Sequence, residues 1–135
     1  MKILVLCTGN SCRSQMAEAM FRRYGDGIVS EVISAGTKPT EVNPMAIKVM
    51  EEIGFDISKQ KSKLVDEFAD REFDFVFTVC DRARENCPNF PNADKKLHWP
   101  YEDPAAAQGT EEERLEVFRK VRDDMLYDIR EFLGE

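Results

Sequence analysis

The chain has 135 residues, 42% of them apolar and 33% charged, and carries a net charge of −7 at neutral pH. Its length predicts one domain, residues 1–135, with room for a sizeable core, and its composition is that of a globular protein rather than a disordered or fibrous one. No apolar stretch reaches the roughly 18–20 residues needed to cross a bilayer. From Glu102 to Glu135 eleven acidic residues stand against five basic ones, which argues against nucleic acid as a partner because phosphate neutralisation needs a basic face.

The chain opens on Lys2–Leu6, whose run Ile3-Leu4-Val5-Leu6 reads as a buried strand. The run is too short for the apolar region of a signal peptide, so a cytoplasmic location is expected. In that compartment the four cysteines are expected to be catalytic, redox-active or metal-bound rather than structural disulfides. Ser11–Tyr24 reads as a helix stopped near Gly25 and Gly27, and Val29–Ala35 as a second strand broken by Gly36. Asn43-Pro44 supplies an N-cap and a first-turn proline for a helix running to Gly54.

A weaker helix is expected over Lys63–Ala69, then a β-branched and aromatic strand over Phe73–Val79 that delivers Cys80 at its C-terminal end. Lys95–Trp99 reads as a short fourth strand. Thr110 and Glu113 form a capping box opening a last helix to about Leu133. Along it Leu115, Phe118, Val121, Met125 and Ile129 recur at helical spacing, the pattern of a core-facing stripe. Strands alternating with helices predict an α/β fold with a four-stranded parallel sheet flanked by helices in three layers. Ligands of such sheets bind beyond the C-terminal ends of the strands, and Cys7 and Cys80 both stand at such ends.

Cys7 begins the segment Cys7-Thr8-Gly9-Asn10-Ser11-Cys12-Arg13-Ser14. It joins a strand to a helix start, so backbone N–H groups, the helix dipole and the Arg13 guanidinium converge around one sulfur. Such a nest binds tetrahedral oxyanions, arginine adds planar bidentate donors, and a helix N-terminus beside a cation favours a thiolate nucleophile. In an acidic protein the site must overcome the global field locally. Phosphate or a phosphate look-alike is the expected ligand class.

Cys80 and Cys87 enclose six residues, two of them arginines, and read as a redox pair on a mobile segment. A zinc site with Cys7 and Cys12 is the weaker reading, because the spacings do not match those of structural zinc sites. Asp103, in Tyr101-Glu102-Asp103-Pro104, is either the acid that protonates a departing oxygen or an ordinary Asp-Pro turn residue, and the two readings stand level. His98, the only histidine, is expected to pack in or near the core. Cys12 is expected to pack behind the loop. The run Lys59–Lys63 reads as a solvated face that also raises local positive potential.

With these residues in hand, the chain resembles the thioredoxin-coupled arsenate reductases built on the low-molecular-weight protein tyrosine phosphatase fold. The resemblance covers essentially the whole chain and rests on Cys7–Glu18, Ser34-Ala35-Gly36, Asn43-Pro44, Cys80 with Cys87, and His98-Trp99 through Asp103-Pro104-Ala105. The loop alone is shared with the phosphatases. The extra thiols, and Ala105, Ala106 and Ala107 where the phosphatase pattern places tyrosines, favour the reductase. The resemblance implies that Cys7 attacks arsenate held by the amides of Thr8, Gly9, Asn10, Ser11, Cys12, Arg13 and Ser14 and by the Arg13 side chain, with Asp103 as acid. Cys80 and then Cys87 carry the oxidation outward, and thioredoxin or a similar thiol reductant restores the chain. Asn10 holds the loop shape and Ser14 steadies Cys7. Some members bind potassium at positions matching Asn10 and Glu18. Lys61 and Lys63 stand where the remaining ligands would be, so no metal is expected, nor any other cofactor. A monomer is expected, without membrane or nucleic-acid partners. The rival readings are a phosphatase working through a Cys7 phosphoenzyme and a non-catalytic oxyanion-binding or redox-sensing module.

Overall fold

The computed structural model describes residues 1–80, 90 and 93–134. Four strands, β1 (Lys2–Cys7), β2 (Glu31–Gly36), β3 (Phe73–Thr78) and β4 (Ala93–His98), form one sheet in the order β2-β1-β3-β4. All three pairings are parallel. The helices are α1 (Arg13–Tyr24), α2 (Pro44–Glu51) and α3 (Glu111–Phe132).

β1 lies inside the sheet and is covered on both faces. Alternate side chains therefore enter different clusters: Ile3, Val5 and Cys7 join the core beneath all three helices, and Leu4 and Leu6 join Ala35, Phe73, Val76 and Phe90 on the other side. That double burial is why the strand reads as a continuous apolar run rather than an alternation. β4 is an edge, and its exposed Lys95 and Lys96 discourage pairing with another chain.

The two capping signals form as expected. Asn43 Oδ1 accepts from the Met45 amide at 2.8 Å, and Thr110 and Glu113 cap one another's backbone N–H groups, each at 3.1 Å. Several boundaries differ. β2 starts at Glu31 and includes Gly36, the residue expected to break it, β3 ends at Thr78, and β4 runs from Ala93 to His98 rather than from Lys95 to Trp99. α1 starts at Arg13, leaving Ser11 and Cys12 in the loop. α2 ends at Glu51, and its chain turns through Gly54 at a φ of 86°. The stretch expected as a helix over Lys63–Ala69 is a single 3-10 turn, Val65–Phe68, because it buries no side chain that would hold a longer helix. Among the described residues no helix is long and apolar enough to cross a membrane.

Candidate active site

The segment from Cys7 to Arg13 closes into a cup at the C-terminal end of β1. The carbonyls of Thr8, Gly9 and Ser11 accept from the amides of Lys38, Thr40 and Asn43 at 2.9, 3.1 and 3.0 Å. The Asn10 carbonyl accepts from Ser62 Oγ at 2.7 Å and Gln15 Nε2 at 3.1 Å. Because a trans peptide carries its N–H opposite its C=O, this outward anchoring turns the next residues' N–H groups the other way. A cavity of about 260 Å³ is lined by Cys7, Thr8, Gly9, Ser11, Cys12, Arg13, Thr40, Asp103 and Ala105.

The loop takes its tight shape at two backbone positions. Asn10 is the only described non-glycine residue with positive φ, at 47°, a conformation asparagine tolerates better than most residues. Its side chain compensates with three bonds: Oδ1 accepts from the Lys63 amide at 2.8 Å and Gln15 Nε2 at 3.0 Å, while Nδ2 donates to Ser14 Oγ at 2.8 Å. Gly36 backs the loop so closely that a Cβ there would stand 2.4 Å from the Thr8 carbonyl oxygen and 2.8 Å from that of Cys7.

Ser14 Oγ also lies 2.8 Å from Cys7 Sγ. Arg13 is buried; its Nη1 donates to the Tyr101 carbonyl at 3.1 Å, and its Nη2 lies 4.0 Å from Asp103 Oδ1. Asp103 caps the 3-10 turn Pro104–Ala106 by accepting from the Ala105 amide at 3.0 Å. The two sequence readings of Asp103 are thus compatible: it is a turn residue, and the turn sets its carboxylate at the mouth of the cup. Cys12 borders the cavity and is otherwise buried in the core beneath the helices, where burial pushes its thiol up to about 12. It stays protonated at neutral pH.

Lys59 and Lys61 are exposed, as expected of a solvated face, and the stretch also supports the loop. The Lys61 carbonyl accepts from Gln15 Nε2, the Gln60 side-chain amide donates to Gln15, and the Lys63 amide and Ser62 hydroxyl hold Asn10. The Lys63 ammonium lies 3.3 Å from Glu18 Oε1, the same buried oxygen that accepts from the Ser34 amide and hydroxyl. A monovalent cation on Glu18 would meet that ammonium, so the residues present do not suit the potassium site of some relatives. Among the described residues no group of three or more His, Cys, Asp or Glu side chains is assembled for a metal. His98 is half-buried, with Nδ1 2.7 Å from Thr78 Oγ1.

Leu6 pairs with Thr78 across β1 and β3, so Cys7 and Cys80 sit at neighbouring strand ends. Cys80 is fully buried and disulfide-bonded, whereas Cys7 and Cys12 are both free thiols. Cys87 lies outside the described residues, as does most of the segment expected to be mobile. Sequence reasoning missed Gln15, Ser62 and Tyr101, whose roles arise from contacts between distant parts of the chain.

A parallel sheet that delivers a cysteine into a carbonyl-anchored loop, closed by an arginine at a helix start, is the architecture of cysteine-based oxyanion chemistry. The chain belongs to the low molecular weight phosphotyrosine protein phosphatase family, whose profile matches residues 2–135. It is 47% identical over 131 residues to the arsenate reductase of Halalkalibacterium halodurans, covering 96% of this chain and 93% of that relative. A solved structure described as an arsenate reductase in the phosphate binding state superposes with a TM-score of 0.82 at 35% identity, covering 98% of this chain and 96% of the other. The thioredoxin-dependent arsenate reductase of Corynebacterium glutamicum superposes with a TM-score of 0.69 at 26% identity, covering 97% of this chain and 59% of the other.

Proposed function

We propose that this chain reduces arsenate to arsenite through a relay of Cys7, Cys80 and Cys87, restored by thioredoxin in the cytoplasm. The Cys7 thiolate, accepting a hydrogen bond from Ser14, attacks arsenic while Arg13 and the loop amides hold the oxygens. Asp103 gives a proton to the departing oxygen, which leaves as water. The Cys80 thiolate then attacks Cys7 sulfur; the S–As bond breaks, its electron pair stays on arsenic, and arsenite leaves behind a Cys7–Cys80 disulfide. Cys87 attacks Cys80 and frees Cys7, and a dithiol of thioredoxin reduces the resulting bridge. Two thiols are oxidised for each As(V) reduced to As(III).

The observation that carries this reading is the placement of Cys7 and Cys80, which stand buried at the neighbouring C-terminal ends of β1 and β3, with Cys7 lining the cup. The named relatives add support, since both the H. halodurans protein and the phosphate-bound structure are arsenate reductases.

A phosphatase reading draws on the cup itself, which contains Cys7, Arg13 and Asp103 without Cys80. One experiment separates the two: arsenate-dependent NADPH oxidation with thioredoxin and thioredoxin reductase, alongside hydrolysis of p-nitrophenyl phosphate. The relay predicts that C7S loses both activities, whereas C80S and C87S lose sustained arsenate turnover and retain any ester hydrolysis. Multiple turnovers of arsenate by C87S at the wild-type rate would refute the relay.

A further inference from the structure

Outside the cup, Tyr101 stands out because it bonds in three directions. Its amide donates to the Val79 carbonyl at 3.3 Å, next to Cys80, and its carbonyl accepts from Arg13 Nη1 at 3.1 Å. Its hydroxyl donates to Asp128 Oδ2 on α3 at 2.6 Å. Two residues earlier, the Trp99 amide donates to the Thr78 carbonyl at 2.8 Å, and its ring lies 4.6 Å from Phe77 and 5.9 Å from Phe132. Two residues later comes Asp103. One short strand extension thus carries both the backbone acceptor that orients Arg13 and the carboxylate facing it.

We propose that the Tyr101–Asp128 hydrogen bond is a positioning device for the oxyanion site, fixing the Arg13 guanidinium and Asp103 by tying their shared segment to α3. The inference deepens the reading above and rests on the roles it gives Arg13 and Asp103. The backbone ladder alone is a weak anchor here, because it runs to Thr78 and Val79, whose neighbour Cys80 has to reach Cys7 during the relay. The α3 tether is independent of that movement. Tyr101 is largely buried, and burial first and the Asp128 hydrogen bond second hold its phenol well above the ordinary tyrosine range, so it remains a donor at any working pH. A displacement of about 1 Å in a clamping arginine is enough to impair turnover strongly.

The test measures phosphate affinity by calorimetry and arsenate kinetics in the full chain carrying Y101F, D128A, D128N or Y101F with D128A. Y101F and D128A are each expected to weaken phosphate binding about fivefold or more and to lower kcat/KM for arsenate in parallel. The double variant is expected to be no worse than either single one, because both remove the same bond. D128N keeps an acceptor oxygen and is expected to stay within twofold of wild type. A merely structural bond would lower the urea midpoint and leave the folded protein's phosphate affinity unchanged. Phosphate affinities of Y101F and D128A within twofold of wild type overturn the proposal. The titration decides this even if the wild type fails to turn over arsenate, an outcome that overturns the reductase reading alone.

Discussion

Ser14 Oγ stands 2.8 Å from Cys7 Sγ and, on its other side, 2.8 Å from Asn10 Nδ2. The amide of Asn10 occupies one acceptor site of the hydroxyl and leaves its proton available to a Cys7 thiolate. Hydrogen bonds to a charged group contribute about 1.5–3 kcal/mol. S14A is therefore expected to lower kcat/KM for arsenate by about 10- to 100-fold and, because it also leaves the buried Asn10 Nδ2 without its acceptor, to cost about 1–3 kcal/mol of stability, read by steady-state kinetics and denaturation of the same preparation.

Asn10 combines a strained backbone with a side chain held by three hydrogen bonds, and two substitutions separate these roles. N10A keeps the strain and leaves the Lys63 amide without its acceptor, while Gln15 retains the carbonyls of residues 10 and 61, at an expected cost of about 1–3 kcal/mol. N10G loses the same bonds but accommodates the φ of 47°, so it is expected to recover about 0.5–1 kcal/mol of that loss. Both variants are expected to bind phosphate at least tenfold more weakly. Equal stabilities of N10A and N10G would show that the backbone is not strained there.

Gly36 and Gly27 form a matched pair. A methyl group at Gly36 would meet the Thr8 carbonyl at 2.4 Å, whereas at Gly27, with a φ of 86°, nothing lies within 4 Å. G36A is expected to cost about 1–3 kcal/mol through overpacking and to weaken phosphate binding by pushing on the cup. G27A is expected to cost about 1 kcal/mol through backbone strain and to leave phosphate binding unchanged.

The contact between α2 and α3 carries a pH signature. Glu52 accepts from Arg119 Nη2 and from Arg122 Nη1, both at 2.8 Å, and hydrogen bonds from Arg119 above all lower its carboxyl from 4.5 to about 2. A folded-state value below the unfolded one adds stability that is full above about pH 4.5 and lost as the pH falls through about 2. After solvent screening of a partly exposed pair, about 1 kcal/mol is expected at pH 7. E52Q is expected to lose that increment and to flatten the stability profile between pH 4.5 and 2, measured by urea denaturation at several pH values. An unchanged profile would mean that Arg119 is satisfied by Glu112 and Glu116 alone.

What the sequence disclosed and what it concealed divide along a physical line. The strand before Cys7, the loop, the Asn43 cap and the reciprocal capping of Thr110 and Glu113 are local chemistry, written within a few residues. Cys80 was legible because a strand end is a local feature and strand ends converge in a parallel sheet. The role of 61–63 was hidden because a lysine-rich stretch advertises its charges, while here a carbonyl and an amide contact the loop's supports and no side-chain pattern encodes a backbone bond. Tyr101 was hidden for a different reason. Its partners Arg13 and Asp128 lie 88 and 27 residues away, and nothing around Tyr101 marks it as different from a packed aromatic residue.

The same distances bear on when in folding the molecule acquires its chemistry. The cup's supports reach across 52 residues to Ser62, 53 to Lys63 and 88 to Tyr101, so they close only after β3 and the strand extension have docked. Parallel pairing of this kind is slow because chain closure precedes the contacts that compensate it. A fragment spanning β1, α1 and β2 would contain every residue of the signature loop, yet it would lack the groups that hold Asn10 and Arg13 in place. During refolding, phosphate binding should therefore emerge in the final phase, together with the native core, and intermediates that already show helix should be blind to the anion.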